Sequence, residues 1–497
     1  MAASQAASMR PLIAVCQMTC THDLDENFRI AKSMLQQAKE RNAKMVFLPE
    51  CFDFVGRTRE ENISLAMEEN GDYINRYKQS AKEFGLWLSL GGFHHLDPEN
   101  LRKPYNTHLI IDDQGSVRGR YQKLHLFDLD IPGKVRLMES EFSSAGHEMV
   151  RPVKTPVGVV AMSICYDLRY SELALWNRRK GAQILTYPSA FTVNTGLAHW
   201  ESLLRARAIE TQCYVVAAAQ TGRHNDKRFS YGHAMVIDPW GAIIAQCSEN
   251  VGMCFAEISL DYLNEVRTTQ PVFKHRRSDL YSVIANEKTP IGSEALSFGD
   301  HLISSEVIFY RSAHCFAFVN RSPVLPGHVL VSPVRKAVRL TDLTDEETAD
   351  LFIVSKKIQA MIESHYNTTS SSVCVQDGPD AGRTVAHVHV HILPRKKDDF
   401  GGNPDKFYGE LAEHDKPSAA RKFRDVEDMN REAAIYRQLM DHVHVHILPR
   451  KKDDFGGNPD KFYGELAEHD KPSAARKFRD VEDMNREAAI YRQLMDV

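Results

Sequence analysis

His387-Val388-His389-Val390-His391 alternates an imidazole with a β-branched apolar residue over five positions. In an extended strand alternate side chains share a face, so the pattern predicts a strand from His387 to Leu393 with three histidines on one side and valines on the other. A row of imidazoles on a rigid, apolar-backed strand suits nucleophilic or ligand chemistry. The stretch returns as His442-Val443-His444-Val445-His446, and residues 387–441 recur at 442–496 without a substitution, an offset of 442 − 387 = 55 residues. Structural repeats drift in sequence and stack on one another, whereas this pair is identical down to its surface lysines. A duplication introduced in a gene model or in cloning is the better reading. Residues 442–496 follow Gln438-Leu439-Met440-Asp441 rather than a Gly-rich turn, lack a core of their own, and are not expected to fold independently. The two copies compete for one slot in the fold, and the first has the shorter connection.

At 497 residues the chain is too long for one ordinary core, and with one copy set aside two domains are the natural division. Hydrophobic content of 43%, charged content of 26% and a mean hydropathy of -0.39 describe a globular chain rather than a disordered or membrane-spanning one. The balance of 62 basic and 66 acidic residues, net charge -4, gives no reason to expect nucleic acid as a partner. Small-molecule chemistry is favoured, with no membrane contact. Nine cysteines, an odd number without paired CxxC spacing, fit a reducing compartment. The opening ten residues carry no acidic group but lack the apolar core of a secretory signal, so cytoplasm is expected, with mitochondria as the alternative.

Residues 1–10 read as an N-terminal extension. From Pro11 to about residue 285 apolar strands alternate with helical stretches: Leu12-Ile13-Ala14-Val15 and Met45-Val46-Phe47-Leu48 flank a helix over 26–41, and a strand over 157–165 precedes a helix over 171–179. Pro290, Gly292 and Gly299 interrupt the pattern, so a linker is expected over 286–297. A smaller α+β unit follows over 298–441, with a helix over 345–365 whose Leu351, Val354, Ile358 and Ile362 keep helical spacing.

Cys165 ends the apolar run Gly158-Val159-Val160-Ala161-Met162-Ser163-Ile164 and precedes a helix. A thiol at such a turn lies near helix amides that favour the thiolate. Taken alone, a free cysteine is more often a buried hydrophobe. Two further segments change that: Leu48-Pro49-Glu50-Cys51 sets a carboxylate at a strand end, and Gln122-Lys123-Leu124 sets a lysine in an apolar context. Together, in this order, they resemble the Glu-Lys-Cys triad of the nitrilase superfamily. Tyr187-Pro188-Ser189-Ala190-Phe191, Ala198-His199-Trp200, the run from Arg205 to Glu210, and Asp238-Pro239-Trp240-Gly241 are similar to its Nit amidase branch.

The resemblance implies a four-layer αββα sandwich, higher oligomers, and hydrolysis of a carbon-nitrogen bond through a cysteine thioester. Glu50 would be the general base, Lys123 the oxyanion partner and Cys165 the nucleophile, with Glu139 matching a supporting carboxylate. Arg169 is open between gripping a substrate carboxylate, capping a helix and a subunit contact. The implied substrate is deaminated glutathione or a similar α-keto acid amide. The chemistry is coherent, since an amide requires a soft nucleophile, a proton carrier and fixed positive charge at the developing oxyanion.

Alternating histidines suit a zinc site or a solvated face as well as a nucleophile. What favours phosphate chemistry is Gln376-Asp377-Gly378-Pro379-Asp380-Ala381-Gly382-Arg383-Thr384-Val385, a Gly- and Asp-rich turn with backbone amides to offer. With Phe318-Val319-Asn320-Arg321, Pro326-Gly327-His328 and His391-Ile392-Leu393-Pro394-Arg395, it resembles the fragile histidine triad (Fhit) hydrolases. By that resemblance His389 takes AMP from diadenosine triphosphate, supported by His387 and His328. His301, Asn320, Gln376, Gly382, Thr384, Val385 and His391 surround the nucleotide. Arg383 stands where the pattern has Gln, which touches the rate more than the chemistry, and Tyr408 is a further candidate contact. The nucleotide is expected as its Mg2+ or Mn2+ complex, with no tightly bound cofactor and no protein-held metal.

Both resemblances together match the Nit-Fhit fusion architecture, and a homotetramer is expected. The rival to a bifunctional hydrolase is a nucleotide-bound signalling module on an oligomeric Nit platform, with turnover as its off switch.

Overall fold

The computed structural model describes residues 10–441 except 98, 99, 132–134, 278, 279, 282, 284, 286–288, 290, 403–405 and 407–423. Residues 442–496 and Tyr408 therefore lie outside the described residues. The chain divides into two compact units between Lys288 and Thr289.

In the first unit Leu12–Met18 is the hub of an eight-stranded sheet. It pairs in parallel with Met45–Glu50 and Ala219–Arg223, and antiparallel with Gly252–Glu257. Trp87–Asp97, Asn100–Ile111 and Val117–Gln122 continue the sheet beyond Met45–Glu50, and Phe229–Tyr231 forms the opposite edge. A six-stranded sheet runs in the order Ile243–Gln246, Met235–Ile237, Tyr214–Ala217, Ile184–Thr186, Gly158–Ala161, Val153–Thr155.

Strand alternation assigns the layers. Ile13, Val15, Met45 and Phe47 join Val160, Ile184, Val215 and Met235 in one apolar cluster between the sheets. The intervening Ala14, Cys16, Val46 and Leu48 face the helices Leu24–Glu40 and Asp72–Phe84 through Phe28, Leu35, Tyr77 and Ala81. Helices Ser171–Arg179 and Val193–Thr211 cover the second sheet with Ala174, Trp200, Leu204 and Ala208. The result is the expected αββα sandwich. Leu24–Glu40 begins where Asp23 accepts from the Glu26 amide, a cap contributing about 1 kcal/mol.

The second unit is α+β. Its five-stranded antiparallel sheet runs Ile308–Arg311, Cys315–Val319, Val329–Pro333, Val390–Pro394, Ser371–Cys374. Helices Asp345–His365 and Val426–Asp441 share its core: Leu351, Val354, Ile358, Ala433 and Tyr436 meet Val388, Val390 and Ile392.

Two expected strands are shorter than their patterns. The ladder begins at Val390 rather than His387, because the Val388 amide donates to Ala337 O (2.8 Å) and its carbonyl accepts from the Ser332 hydroxyl (2.8 Å). The alternation survives, with Val388, Val390 and Ile392 in the core and the three histidines on the other face. Likewise the run from Val157 to Cys165 is a strand only over Gly158–Ala161; the Ile164 amide is taken by the Asp167 side chain (2.9 Å) and the Cys165 amide by Pro188 O (2.9 Å).

Candidate active sites

The cysteine site forms where Met45–Glu50, the end of Val117–Gln122 and the turn after Gly158–Ala161 converge. Cys51 and Cys165 both have positive φ, 55° and 45°, a conformation disfavoured for residues with a Cβ. These elbows turn the chain sharply beside Glu50 and at the thiol. Lys123 Nζ lies 2.9 Å from Glu50 Oε1 and 2.8 Å and 3.0 Å from the two Glu139 oxygens. The Cys165 thiol lies close enough to the Glu50 carboxylate for each to shift the other's proton affinity. Glu50 Oε2 also accepts from the Ala190 amide (2.9 Å), and Glu139 Oε2 from the Phe127 amide (2.7 Å). Glu50, Lys123, Glu139 and Cys165, far apart in sequence, are thus one cluster.

Its charges are set mutually. Burial alone would push Glu50 up, but the Lys123 charge and hydrogen bond, with the thiol close by, hold it below the usual carboxylate range. Burial would lower Lys123, and the Glu139 and Glu50 carboxylates reverse this and raise it well above the usual lysine value. Cys165 is pushed well above an ordinary thiol, first by burial and then by the Glu50 charge. This corrects the expectation that helix amides would favour the thiolate. These directions favour an ionised Glu50, a charged Lys123 and a neutral Cys165 thiol.

Two residues that the sequence reading missed hold this geometry. Asn106 Nδ2 donates to Glu50 Oε1 (2.9 Å), fixing the carboxylate from Asn100–Ile111, across the intervening strand Trp87–Asp97. Buried Asp167 accepts from the Tyr121 hydroxyl (2.7 Å), the His125 ring (2.7 Å) and the Ile164 amide (2.9 Å), locking the lysine segment to the cysteine turn. Neither carries a sequence signal, because their partners are defined only by the fold. Arg169 is half-buried, donates to His199 Nδ1 (3.2 Å), and stacks over Tyr166 and Phe191.

In the second unit backbone partners assign the histidine tautomers. His387 accepts from the Gly299 amide at Nδ1 (2.8 Å) and donates from Nε2 to Pro333 O (3.0 Å). Both its nitrogens are engaged, which removes it as a zinc ligand, and burial lowers its pKa. His389 Nδ1 lies 2.7 Å from His387 O, so it carries the proton and the lone pair is on Nε2. His328 accepts from the Val324 amide at Nδ1 (3.2 Å) and lies 3.0 Å from His391 Nδ1 through Nε2. That chain makes His391 Nε2 an N–H donor. Phe298 forms a wall, its ring 5.1 Å from His389 and 5.7 Å from His387. Among the described residues no group of three or more His, Cys, Asp or Glu could hold a metal ion.

The other residues expected around the nucleotide gather here to different degrees. Buried Asn320 contacts the His328 ring at 3.3 Å. Cys374 pairs with His391 at the end of the ladder, and Gln376 follows two residues later in the chain. Gly382 has a left-handed φ of +91°, a conformation that favours glycine, and its turn packs against the end of the Gln376 side chain. Asp377 pins the turn by accepting from Arg339 Nε (3.0 Å) and the Leu340 amide (3.1 Å). Arg383 donates to Val338 O, Val385 accepts from the His387 amide (2.8 Å), and Thr384 is exposed. His301 is exposed on the hairpin Leu296–Phe298/His301–Ile303, opposite Phe298. Phe298, Gly299 and Pro333 went unread, two of them because they act through backbone atoms.

Residues 12–268 match the family model of carbon-nitrogen hydrolases, and residues 303–398 that of the HIT domain. The nitrilase and fragile histidine triad fusion protein NitFhit of Caenorhabditis elegans is 61% identical over 434 residues, covering 87% of this chain and 98% of the relative. The crystal structure of the C. elegans NitFhit protein superposes with a TM-score of 0.78 at 59% identity, over 87% of this chain and 99% of that one. Deaminated glutathione amidase of Bos taurus is 52% identical over 283 residues, 56% of this chain and 86% of the relative. No helix among the described residues is long and apolar enough to cross a membrane. With both family models matched in order and a fusion relative aligned over nearly its whole length, the chain belongs to the nitrilase and fragile histidine triad fusion family, a carbon-nitrogen hydrolase joined to a HIT domain.

Proposed function

We propose that the chain is a bifunctional hydrolase. Its first unit cleaves an α-keto acid amide such as deaminated glutathione, and its second converts diadenosine 5',5'''-P1,P3-triphosphate to AMP and ADP. The observation that carries the reading is the geometry at each centre: Cys165 gathered with a buried carboxylate that lies 2.9 Å from a buried lysine, and a histidine with its lone pair fixed on Nε2. Similarity to deaminated glutathione amidases supports the amide class.

At the cysteine centre the thiol stays neutral until attack. Glu50 accepts its proton as sulfur bonds to the amide carbon and the carbonyl π pair moves onto oxygen. Lys123 has three N–H groups; Glu50 takes one, and Glu139, receiving a bifurcated bond, leaves another for the oxyanion. Collapse of the tetrahedral species expels the amine, which takes the proton from Glu50. Water, deprotonated by the same carboxylate, then opens the thioester and regenerates the thiol.

At the histidine centre His389 Nε2 attacks the α-phosphorus and ADP departs, leaving AMP on the imidazole. Positive charge developing on the ring is met by His387 O at Nδ1, and His391 Nε2–H offers a donor to phosphate oxygen. Water cleaves the phosphorus-nitrogen bond to release AMP. The nucleotide enters as its Mg2+ or Mn2+ complex, the ion being part of the substrate.

Cys165→Ala and His389→Asn in the full chain separate the activities. The first is expected to abolish amine release while keeping AMP production, and the second the reverse. Retention of both rates in either variant would overturn the corresponding assignment.

A further inference from the structure

Arg228 sits in the hairpin joining Ala219–Arg223 to Phe229–Tyr231, and both sides of that hairpin are tied to walls of the cysteine site. On one side the Asn225 side chain donates to Gly56 O (3.1 Å), in the segment that leaves Glu50, while its oxygen accepts from the Arg228 amide (2.9 Å). The same arm holds the Glu50 backbone, since Gln220 Nε2 donates to Glu50 O (3.0 Å) and Cys51 O (3.1 Å). On the other side the Tyr231 amide donates to Phe191 O (2.9 Å), next to Ala190, which serves the Glu50 carboxylate.

Arg228 is half-buried, and among the described residues its guanidinium has neither a carboxylate within ion-pair distance nor a hydrogen-bond acceptor. Its neighbour Arg223 is paired with Asp226. Arginine does not relieve poor solvation by losing its proton, so its charge persists in both the empty and the occupied site. That charge reaches Glu50, Cys51 and His224. Arg169, the cation expected from sequence to meet a substrate carboxylate, is already bonded to His199 and stacked on two aromatic rings. The arginine without a counter-ion is the other one.

We propose that Arg228 binds the carboxylate of the amide substrate and makes the first unit selective for acidic amides over neutral ones of the same length. A planar fork meeting a carboxylate gives two parallel charge-assisted hydrogen bonds in a partly desolvated setting, where they are strongest. The inference rests on the amidase reading and deepens it: the group recognised is a carboxylate remote from the scissile bond.

The test compares kcat/KM for glutaramate and for pentanamide, its neutral counterpart, in the full chain and in Arg228→Gln and Arg228→Lys. The full chain is expected to favour glutaramate. Arg228→Gln should cut that preference on the order of tenfold to a hundredfold, mainly through KM, with Arg228→Lys recovering part of it. A ratio unchanged in Arg228→Gln, or a full chain that prefers pentanamide, overturns the proposal. Diadenosine triphosphate hydrolysis and far-ultraviolet circular dichroism verify that each variant is folded. Calorimetric titration of glutarate into the Cys165→Ala chain, with and without Arg228→Gln, separates the two readings. Glutarate binding that weakens with Arg228→Gln upholds the carboxylate site even if no amide is hydrolysed, in which case the amidase reading alone fails. Binding that is absent or indifferent to Arg228 overturns the site.

Discussion

In the proposed mechanism Glu50 has two tasks that pull in opposite directions: its charge, after burial, raises the Cys165 pKa, and it is to accept the thiol proton when substrate arrives. A neutral thiol is a poor nucleophile toward stray electrophiles, so the cluster confines reactivity to a substrate whose carbonyl is already near Lys123. The sign is testable. With the Cys165 pKa raised by burial and by Glu50, alkylation of Cys165 by iodoacetamide should be slow at pH 7.5 and still climbing above pH 9. Glu50→Gln removes the negative charge while Lys123 stays positive, so the thiolate should form at lower pH and alkylation at pH 7.5 should rise about tenfold or more. Amide hydrolysis should fall by roughly 10²–10⁴. Peptide mass spectrometry of the Cys165 peptide reads the first effect, and alkylation that slows in Glu50→Gln would contradict this account. Glu50, Lys123 and Cys165 could be singled out in sequence only jointly, because in this order they resemble the Glu-Lys-Cys triad; alone they read as a strand-end carboxylate, a solvated lysine and a buried thiol. The state of the thiol was not legible, because it depends on carboxylates from distant segments and on burial.

The same division between pattern and packing governs the elements. Helix Asp345–His365 was readable to its ends, because Thr344 and Glu347 form a capping box ahead of a regular apolar spacing. The histidine strand was readable in its alternation but not in its start, since Ala337 and the Ser332 side chain replace the ladder at Val388. Least readable was how close two strands approach. A Cβ at Gly91 would lie 2.2 Å from Leu48 O, 2.4 Å from Pro188 Cβ and 2.7 Å from Pro49 C. Gly91 therefore lets the strand that ends in Glu50 lie against the Pro188 segment, whose carbonyl holds the Cys165 amide. Backbone cannot yield as a flexible side chain would, so Gly91→Ala should separate Glu50 from Cys165 and overpack the sandwich by about 1–3 kcal/mol or more. Thermal unfolding and the amide rate should both drop, whereas AMP production, which depends on the second unit, should hold. An unchanged amide rate would mean that the strands have slack that these distances do not reveal.

For the molecule as a whole, the order of the two domains was legible because their motif sets do not interleave along the chain. The relation of the duplicate to the fold was not, since two identical segments carry identical local signals. The described second unit already closes its sheet with the first copy: Tyr436 is fully buried, and Arg437 donates to Ile308 O (2.8 Å) and Ser305 O (2.7 Å) from a helix ending at Asp441. Residues 442–496 offer the same contacts, so the contest turns on connection. From Ala386 the first copy follows directly, while the second could enter only by looping out 55 residues, at an entropic cost of about 3.5 kcal/mol. At that penalty the swapped arrangement is populated below about one per cent. The 434-residue alignment that accounts for 98% of the C. elegans relative agrees with one copy sufficing. Removing residues 442–496 should therefore leave the rate of diadenosine triphosphate hydrolysis within about twofold of the full chain. Removing 387–441 must give the same protein, because the resulting sequences are identical. A full-length chain slower than the shortened one by tenfold or more would mean that the second copy invades the sheet despite its longer connection, and that chain entropy is not what selects the working histidine strand.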